Sequence, residues 1–104
     1  MTREHRYYTG SGPVTPWGQA DAREIYSGDV SFYSTPSHGG FRVSGKSLKR
    51  IPDKYHGDPT GWFEEDCDWA IVAFFLPELF TTAETEAADS TLDNWHPDVK
   101  ALKW

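Results

Sequence analysis

The amino-acid sequence predicts an α+β fold, in which a small antiparallel sheet, a meander, packs on two or three helices in a single domain. Two observations support this class. Segments between Arg23 and Val43 alternate polar and apolar residues with the period of two that is typical of strands. After Ser44 the apolar residues recur every three or four positions, as in helices that bury one side.

A flexible N-terminal arm is predicted at residues 1–13, and the α+β domain is predicted at residues 14–104. The arm is mostly polar and ends in Gly, Ser and Pro residues, which favour irregular structure. Tyr7 and Tyr8 are its aromatic residues, and its order depends on whether their rings pack on the domain. The strands of the meander are predicted at residues 23–26, 30–35 and 41–43, with a turn at residues 27–29.

The first two helices are predicted from their ends and their apolar spacing. A short basic helix begins at Ser44 or Ser47 and ends before Pro52. The central helix covers residues 62–76, because its apolar residues fit a helical period and its acidic residues fall in the first turn, where the helix dipole favours them. Pro77 ends it.

A third helix is predicted at residues 82–94, and residues 97–102 add a last turn. We expect Ala83, Ala87 and Leu92 to face inward and Trp95 to anchor the end of the helix against the core. We expect the terminal indole of Trp104 to dock on the domain or on a partner.

Composition predicts a soluble cytoplasmic protein. Sixteen aromatic residues among 104 provide a core, since each buried ring removes roughly 150–250 Å² from water. Cys67 is the only cysteine, so no internal disulfide forms. The start is too polar for a signal peptide, and the longest apolar run, eight residues at positions 69–76, is far below the ~20 needed to cross a membrane.

The charges are segregated along the chain. Between Lys54 and Lys100 there is no lysine or arginine, but there are eleven acidic side chains. The first 54 residues hold eight basic and five acidic groups, so the net charge of −6 arises in the second half. Such a distribution attracts basic partners and repels nucleic acid.

The leading hypothesis is therefore a binding protein with an acidic surface and no cofactor. A nucleic-acid-processing enzyme exposes lysines and arginines to phosphates, and carboxylates spaced like phosphates would occupy the same groove. The predicted partner-binding residues are Glu64, Glu65, Asp68, Glu84, Glu86, Asp89 and Asp93. The alternative is an ordinary acidic surface that keeps the protein soluble.

A basic patch at the opposite pole supports the third hypothesis, a nucleic-acid-binding regulatory module. The predicted patch consists of Arg42, Lys46, Lys49, Arg50 and Lys54. In this hypothesis Tyr33 or Phe41 stacks on bases. Pairing of the same patch with the acidic half of a second copy would form a homodimer.

The second hypothesis is an enzyme, a hydrolase or transferase, with His38, Cys67 and His96 as alternative catalytic residues. Cys67 would be the nucleophile, activated by a histidine and oriented by an aspartate. Neighbouring carboxylates oppose this role because they raise the pKa of a thiol. A structural role for His96, as a helix cap or bridge, is the alternative to catalysis.

Residues 34–40, Ser-Thr-Pro-Ser-His-Gly-Gly, allow two structures. Backbone amides of small residues can approach an anion, as in a phosphate-binding nest or an oxyanion hole. The other structure, which the sequence favours, is a hairpin turn with positive φ at Gly39 and Gly40 and a backbone hydrogen bond from Ser37.

The carboxylates at positions 64–68 are potential ligands for a divalent metal, with a nitrogen ligand from His38 or His96. On a helix, however, Glu65 and Asp66 diverge from the face that Glu64 and Asp68 share. We therefore predict no metal site and interpret these residues as a solvated helix start.

Four segments of the chain resemble a family of uncharacterised domains. They are residues 15–18 (Thr-Pro-Trp-Gly), residues 34–40, residues 61–69 (Gly-Trp-Phe-Glu-Glu-Asp-Cys-Asp-Trp) and residues 94–97 (Asn-Trp-His-Pro). The family looks like cargo of phages, plasmids and proteobacterial genomes, and it implies no activity, cofactor or catalytic residue. By analogy with small acidic proteins of mobile elements, the partner would be the basic surface of a host nuclease or surveillance complex, inhibited as by anti-CRISPR or anti-restriction proteins.

Overall fold

A computed structural model describes residues 6–57 and 60–101 of the chain. Seven strands and four helices lie within these ranges. In chain order they are β1 (Arg6–Thr9), β2 (Val14–Thr15), β3 (Gly18–Gln19), β4 (Ala22–Ser27), β5 (Val30–Ser34), β6 (Gly39–Val43), α1 (Gly45–Lys49), β7 (Trp62–Glu64), α2 (Trp69–Phe75), α3 (Thr82–Trp95) and α4 (Pro97–Ala101). Two 3₁₀ turns, Asp53–Tyr55 and Pro77–Leu79, precede β7 and α3.

Five of the strands form one antiparallel sheet in the order β1-β4-β5-β6-β7. Hairpins join β4, β5 and β6, and the first of them turns at Gly28 and Asp29, as predicted. The strands β2 and β3 form a separate two-stranded hairpin. The predicted α+β class and the meander are confirmed, while the edge strands β1 and β7 were not predicted.

The core lies between one face of this sheet and the helices. Side chains alternate between the two faces along each strand, so every second residue points into the core. The sheet contributes Tyr26, Val30, Phe41, Val43 and Phe63. The helices and their connections contribute Ile51, Ala70, Ile71, Val72, Ala73, Leu76, Leu79, Ala88, Leu92 and Val99.

Strand β1 replaces part of the predicted flexible arm. Arg6–Thr9 pairs antiparallel with β4, and the Arg23 guanidinium lies over the Tyr8 ring, 5.1 Å from its centre. The strand was not predicted, because an edge strand exposes most of its side chains and so requires few apolar residues. Residues 1–5 of the predicted arm lie outside the described residues.

The turn after β5 differs from the predicted one. Thr35 forms it, since its hydroxyl donates to the His38 carbonyl at 2.8 Å and accepts from the His38 amide at 3.1 Å. Gly39 and Gly40 lie in β6 without positive φ. Glycine is needed at position 40 because a Cβ atom there would lie 2.4 Å from the Phe63 carbonyl oxygen and 2.3 Å from the Trp17 ring.

The predicted helix at residues 62–76 is wrong in its first half. Trp62–Glu64 form β7, which pairs with β6 and buries Phe63 completely. Turns follow, and α2 begins only at Trp69. Three residues are too few to show whether apolar side chains recur with the period of a strand or with that of a helix. The pairing with β6 therefore decides that this segment is a strand. The acidic residues at positions 64–66 are therefore not in the first turn of a helix.

The other predicted helices are confirmed as α1, α3 and α4, but α3 turns a different side inward. Ala88 and Leu92 are buried, whereas Ala83 and Ala87 are exposed. Trp95 is 66% exposed, so it does not anchor the helix in the core. The short apolar face of α3 consists of residues four apart, at the spacing that places side chains above one another.

None of the helices in residues 6–57 and 60–101 combines the length and the apolar composition needed to cross a bilayer. The last predicted turn is present as α4, which ends at Ala101. The prediction for Trp104 falls outside the described residues.

Candidate functional site

Three glutamates from different elements surround one pocket on the helix side of the sheet. Glu24 lies on β4, Glu65 in the turn after β7, and Glu84 in the first turn of α3. The pocket has a volume of about 280 Å³. Its aromatic residues are Tyr26, Phe32, Phe41, Trp69 and Phe80. We call these eight residues the acidic–aromatic pocket.

The aromatic residues of the pocket pack against one another in a continuous cluster. The rings of Tyr26 and Phe41 lie edge to face with centres 5.0 Å apart, as do those of Phe32 and Phe41. Phe80 lies 5.4 Å from Tyr26, 5.7 Å from Phe41 and 6.3 Å from Trp69. The negative faces of such rings attract a cation.

Local structure positions the three carboxylates. Alternation along β4 puts Glu24 on the same face as the aromatic rings. A capping box holds Glu84, whose Oε1 accepts from the Thr81 amide at 2.8 Å while the Thr81 hydroxyl accepts from the Glu84 amide at 3.1 Å. The Glu65 amide donates to the Gly39 carbonyl at 3.0 Å and so continues the pairing of β7 with β6.

The remaining acidic residues of α3 lie on its other side. At about 100° per residue, Glu86, Asp89 and Asp93 fall within about 60° of one another and opposite to Glu84. All three are exposed, and Asp93 accepts a 3.0 Å hydrogen bond from the Lys100 ammonium. The structure thus brings Glu65 and Glu84 together at the pocket and separates them from the other predicted residues of α3.

Glu64, Asp66 and Asp68 form a further acidic group. Burial raises the pKa of Glu64, and a hydrogen bond with Asp66 and the charges of Asp66 and Asp68 raise it further. Potential ligand atoms of His38, Glu64 and Asp66 lie within 4.8 Å of one another. Exposed carboxylates are commonly grouped in this way without a cation, and we propose no metal site there.

Two of the candidate catalytic residues, Cys67 and His96, meet at Asp68. The Asp68 Oδ1 atom lies 3.5 Å from the Cys67 Sγ and 3.0 Å from the His96 Nε2. Burial and the neighbouring carboxylates, Asp68 above all, raise the pKa of Cys67 to about 11. The thiol is therefore protonated at neutral pH, which opposes nucleophilic catalysis. The third candidate residue, His38, does not share this contact and lies beside Glu64.

The predicted basic patch is divided between α1, its flanks and the sheet. Arg50 forms a two-point ion pair with Glu78, which lowers the pKa of that carboxyl. The Lys54 ammonium lies over the neighbouring tyrosine ring, 5.0 Å from its centre. Lys46 and Lys49 are exposed on α1. The fifth predicted member, Arg42, lies on β6 and belongs to a different surface.

This second basic surface lies on the face of the sheet that points away from the core. The register places Arg6, Ile25, Ser31 and Arg42 opposite one another across four strands. Tyr8, Arg23 and Tyr33 form the row beside them. Residues opposite one another share a face. We call Arg6, Tyr8, Arg23, Tyr33, Arg42 and Trp62 the basic–aromatic face.

Most of this face, and also Glu24 of the pocket, were not predicted from the sequence. The signal lies in the alternation of β4, where arginine and glutamate occupy consecutive positions and must point to opposite sides of the sheet. The assignment of Arg6, Tyr8 and Arg42 to this face requires the register of β1 and β6, which depends on distant parts of the chain.

The architecture defines a small α+β protein with an acidic–aromatic pocket on one side of its sheet and a basic–aromatic face on the other. Residues 11–102 match a family described as Domain of unknown function (DUF7007), and the chain belongs to that family. No curated protein and no solved structure gives a significant match. The predicted membership of an uncharacterised domain family is confirmed.

Proposed function

We propose that this protein is a non-enzymatic binding protein whose acidic–aromatic pocket captures a basic side chain of a partner. The observation that carries the proposal is the convergence of Glu24, Glu65 and Glu84 around a cluster of aromatic rings. Carboxylates attract the charge of a guanidinium or an ammonium, and the rings add a cation–π contribution. The proposal needs no cofactor.

Arginine suits this pocket better than lysine. A guanidinium is planar, stacks on aromatic rings and donates two parallel hydrogen bonds to one carboxylate, whereas an ammonium is a compact and strongly hydrated charge. Glu84 is held in place by its capping box, so part of the site is organised before the partner arrives.

The partner that we propose is a nuclease or surveillance complex in the bacterial cytoplasm. Such complexes expose arginines and lysines to the phosphates of nucleic acids, and a pocket that binds one of these side chains would block the groove. The resemblance of the family to cargo of phages, plasmids and proteobacteria supports an inhibitor of the anti-CRISPR or anti-restriction type, by analogy with other small acidic proteins of mobile elements.

Two other hypotheses from the sequence receive less support. An enzyme based on Cys67 would need a thiol with a lowered pKa, and the pKa of this thiol is raised. A homodimer through pairing of the two halves would need a continuous basic patch, and the predicted residues are divided between two surfaces.

The proposal is tested by a pull-down with the tagged protein from a bacterial lysate that contains active CRISPR and restriction systems. We compare the wild type with a Glu24→Lys, Glu65→Lys variant. The matched control is Glu86→Lys, Asp89→Lys, which makes the same change of charge on the other side of α3. Bound proteins are eluted with increasing salt and identified by mass spectrometry.

We expect the wild type and the control to retain one nuclease or surveillance complex, to release it at high salt and to inhibit its activity stoichiometrically. The pocket variant should retain and inhibit nothing. Equal retention by the pocket variant and the wild type, or no retained complex at any salt, contradicts the proposal. Folding of each variant is checked by circular dichroism.

A further inference from the structure

We infer that the basic–aromatic face of the sheet binds single-stranded nucleic acid. The three arginines project from β1, β4 and β6, and Tyr8 and Tyr33 lie between and beside them. This inference goes beyond the proposed function, because it concerns the opposite side of the sheet and a different class of ligand.

Two adjoining cavities form a groove across this face. One, of about 300 Å³, is lined by Arg6, Arg23, Tyr33 and Arg42 among others. The second, of about 340 Å³, is lined by Tyr8, Arg23 and Tyr33 together with the chain at positions 9–13. Because Arg23 and Tyr33 line both cavities, a ligand can run from one into the other.

The spacing of the arginines suits a chain of phosphates better than a single anion. Strands β1 and β6 are three strand positions apart in the sheet, and at about 4.8 Å each this separates Arg6 from Arg42 by about 14 Å. At this separation the two guanidinium groups can contact different phosphates. A nucleic-acid strand that crosses the sheet presents phosphates at several points along this distance.

The aromatic residues favour bases over other anionic ligands such as an acidic peptide. The Arg23 guanidinium lies over Tyr8, and the Arg42 guanidinium lies over Trp62 at 5.6 Å while donating to the Val43 carbonyl at 2.7 Å. These contacts orient the arginines, and each guanidinium has five N–H donors, which allows it to bind phosphate as well. Tyr8 is 45% exposed and offers a ring for stacking.

Stacking on these rings requires bases that are not paired. Bases in a duplex stack on one another and are not available to a sheet surface, whereas unpaired bases can spread over aromatic side chains. The Asp29 carboxylate also lines the first cavity, but it accepts hydrogen bonds from the Ser47 amide and hydroxyl at 3.3 and 3.4 Å. Because the whole chain is acidic, we expect binding to be strongest at low salt.

The test measures fluorescence anisotropy with labelled oligothymidine and oligouridine of about 12 nucleotides, within the usual site sizes of such surfaces. A duplex of the same length and a poly-glutamate peptide are the competing ligands. The variants of the full chain are the double variant Arg6→Glu, Arg23→Glu and the single variant Tyr8→Ala. The control, Lys46→Glu, Lys49→Glu, makes the same change of charge on α1.

We expect the wild type to bind the single strands more tightly than the duplex or the peptide. Three phosphate contacts predict that log Kd rises with log salt at a slope of about 2, because each contact on a single strand contributes about 0.7. Arg6→Glu, Arg23→Glu should weaken binding at least tenfold and reduce this slope to below about 1. Tyr8→Ala should weaken binding about fivefold or more without changing the slope.

The control variant should bind within about twofold of the wild type. Absence of single-strand binding at low salt overturns the inference, and so does binding of the duplex or of poly-glutamate with equal or higher affinity. Equal losses in the control and in the arginine variant also overturn it, since the effect would then follow net charge. Because Arg6 and Tyr8 lie on an exposed edge strand, the single changes Arg6→Glu and Tyr8→Ala repeat the test if the double variant unfolds.

Discussion

Gly40 occupies the point where three parts of the chain meet. The Trp17 ring from the β2–β3 hairpin and the Phe63 carbonyl of β7 both approach it more closely than a side chain would allow. Trp17 also packs edge to face on Trp62, with ring centres 5.8 Å apart. A residue without a side chain therefore lets the small hairpin dock on the sheet.

Gly40→Ala should destabilise the protein by about 3 kcal/mol, because the added methyl group must displace both a ring and a backbone carbonyl. The measurement is urea unfolding followed by tryptophan fluorescence. Gly28→Ala is the matched control, since no atom lies within 4 Å of its Cβ position, and it should change stability by less than about 0.5 kcal/mol. Equal stability of the two variants would contradict the packing argument.

Cys67 should react slowly with iodoacetamide. With a pKa of about 11 instead of 9.0, its thiolate fraction at pH 8 is about a hundredfold lower. A more basic thiolate is intrinsically more nucleophilic, which recovers about tenfold. The folded protein should therefore be alkylated roughly tenfold more slowly than the same chain unfolded in urea, measured by mass spectrometry. Faster reaction in the folded state would revive the enzyme hypothesis.

Among the elements, α3 combines a narrow core face with a complete N-terminal cap. Within the described part of the chain only Ala88 and Leu92 of this 14-residue helix are buried. The capping box of Thr81 and Glu84 satisfies two backbone amides at the start of the helix. The same contact positions Glu84 at the pocket, so helix stability and the candidate site depend on one structural feature.

Thr81→Ala should lower the free energy of unfolding by about 1 kcal/mol, since it removes the oxygen that accepts from the Glu84 amide. Ser90→Ala, at an exposed position of the same helix, serves as the control and should be neutral or slightly stabilising. Both are measured by urea unfolding followed by circular dichroism. A Thr81→Ala variant as stable as the wild type would show that the cap contributes nothing.

On the scale of the whole molecule, a hydrogen bond joins the middle of the chain to α4. The Tyr55 hydroxyl donates to the Asp98 Oδ2 at 2.5 Å. This bond lowers the pKa of Asp98 and raises the pKa of Tyr55. The Asp98 contribution to stability is therefore present above the unfolded pKa and lost as the pH falls through the folded one. The Tyr55 contribution is present below pH 10 and lost as the pH rises further.

Tyr55→Phe should remove this contribution to stability. The difference in unfolding free energy between wild type and variant should be largest near neutral pH and should decline below about pH 4 and above about pH 10. Urea unfolding across this pH range measures it. Tyr7→Phe, which alters an exposed ring of β1, should follow the wild type throughout. A constant difference at all pH values would mean that the hydroxyl acts by packing alone.

In the folded molecule the charges are separated across the sheet, whereas in the sequence they are separated along the chain. Along the chain the acidic groups follow the basic ones, but Arg23 and Glu24 are neighbours and point to opposite sides of the sheet. The carboxylates of the pocket thus lie on the helix side, and the arginines of β1, β4 and β6 lie on the other side. The proposed partner protein and the proposed nucleic-acid ligand therefore concern separate surfaces of the molecule.

The sequence by itself determined the α+β class, the β4–β5–β6 meander and the existence of α1, α3 and α4, because these depend on local alternation, turns and caps. It also predicted that Glu65 and Glu84 bind a partner, which remains a proposal. Only the tertiary structure decided that residues 62–64 form a strand and that β1 joins the sheet, since both segments are defined by pairing with distant strands. The pairing of β1 and β6 with the rest of the sheet also aligned three arginines across it, and no local pattern contains that register.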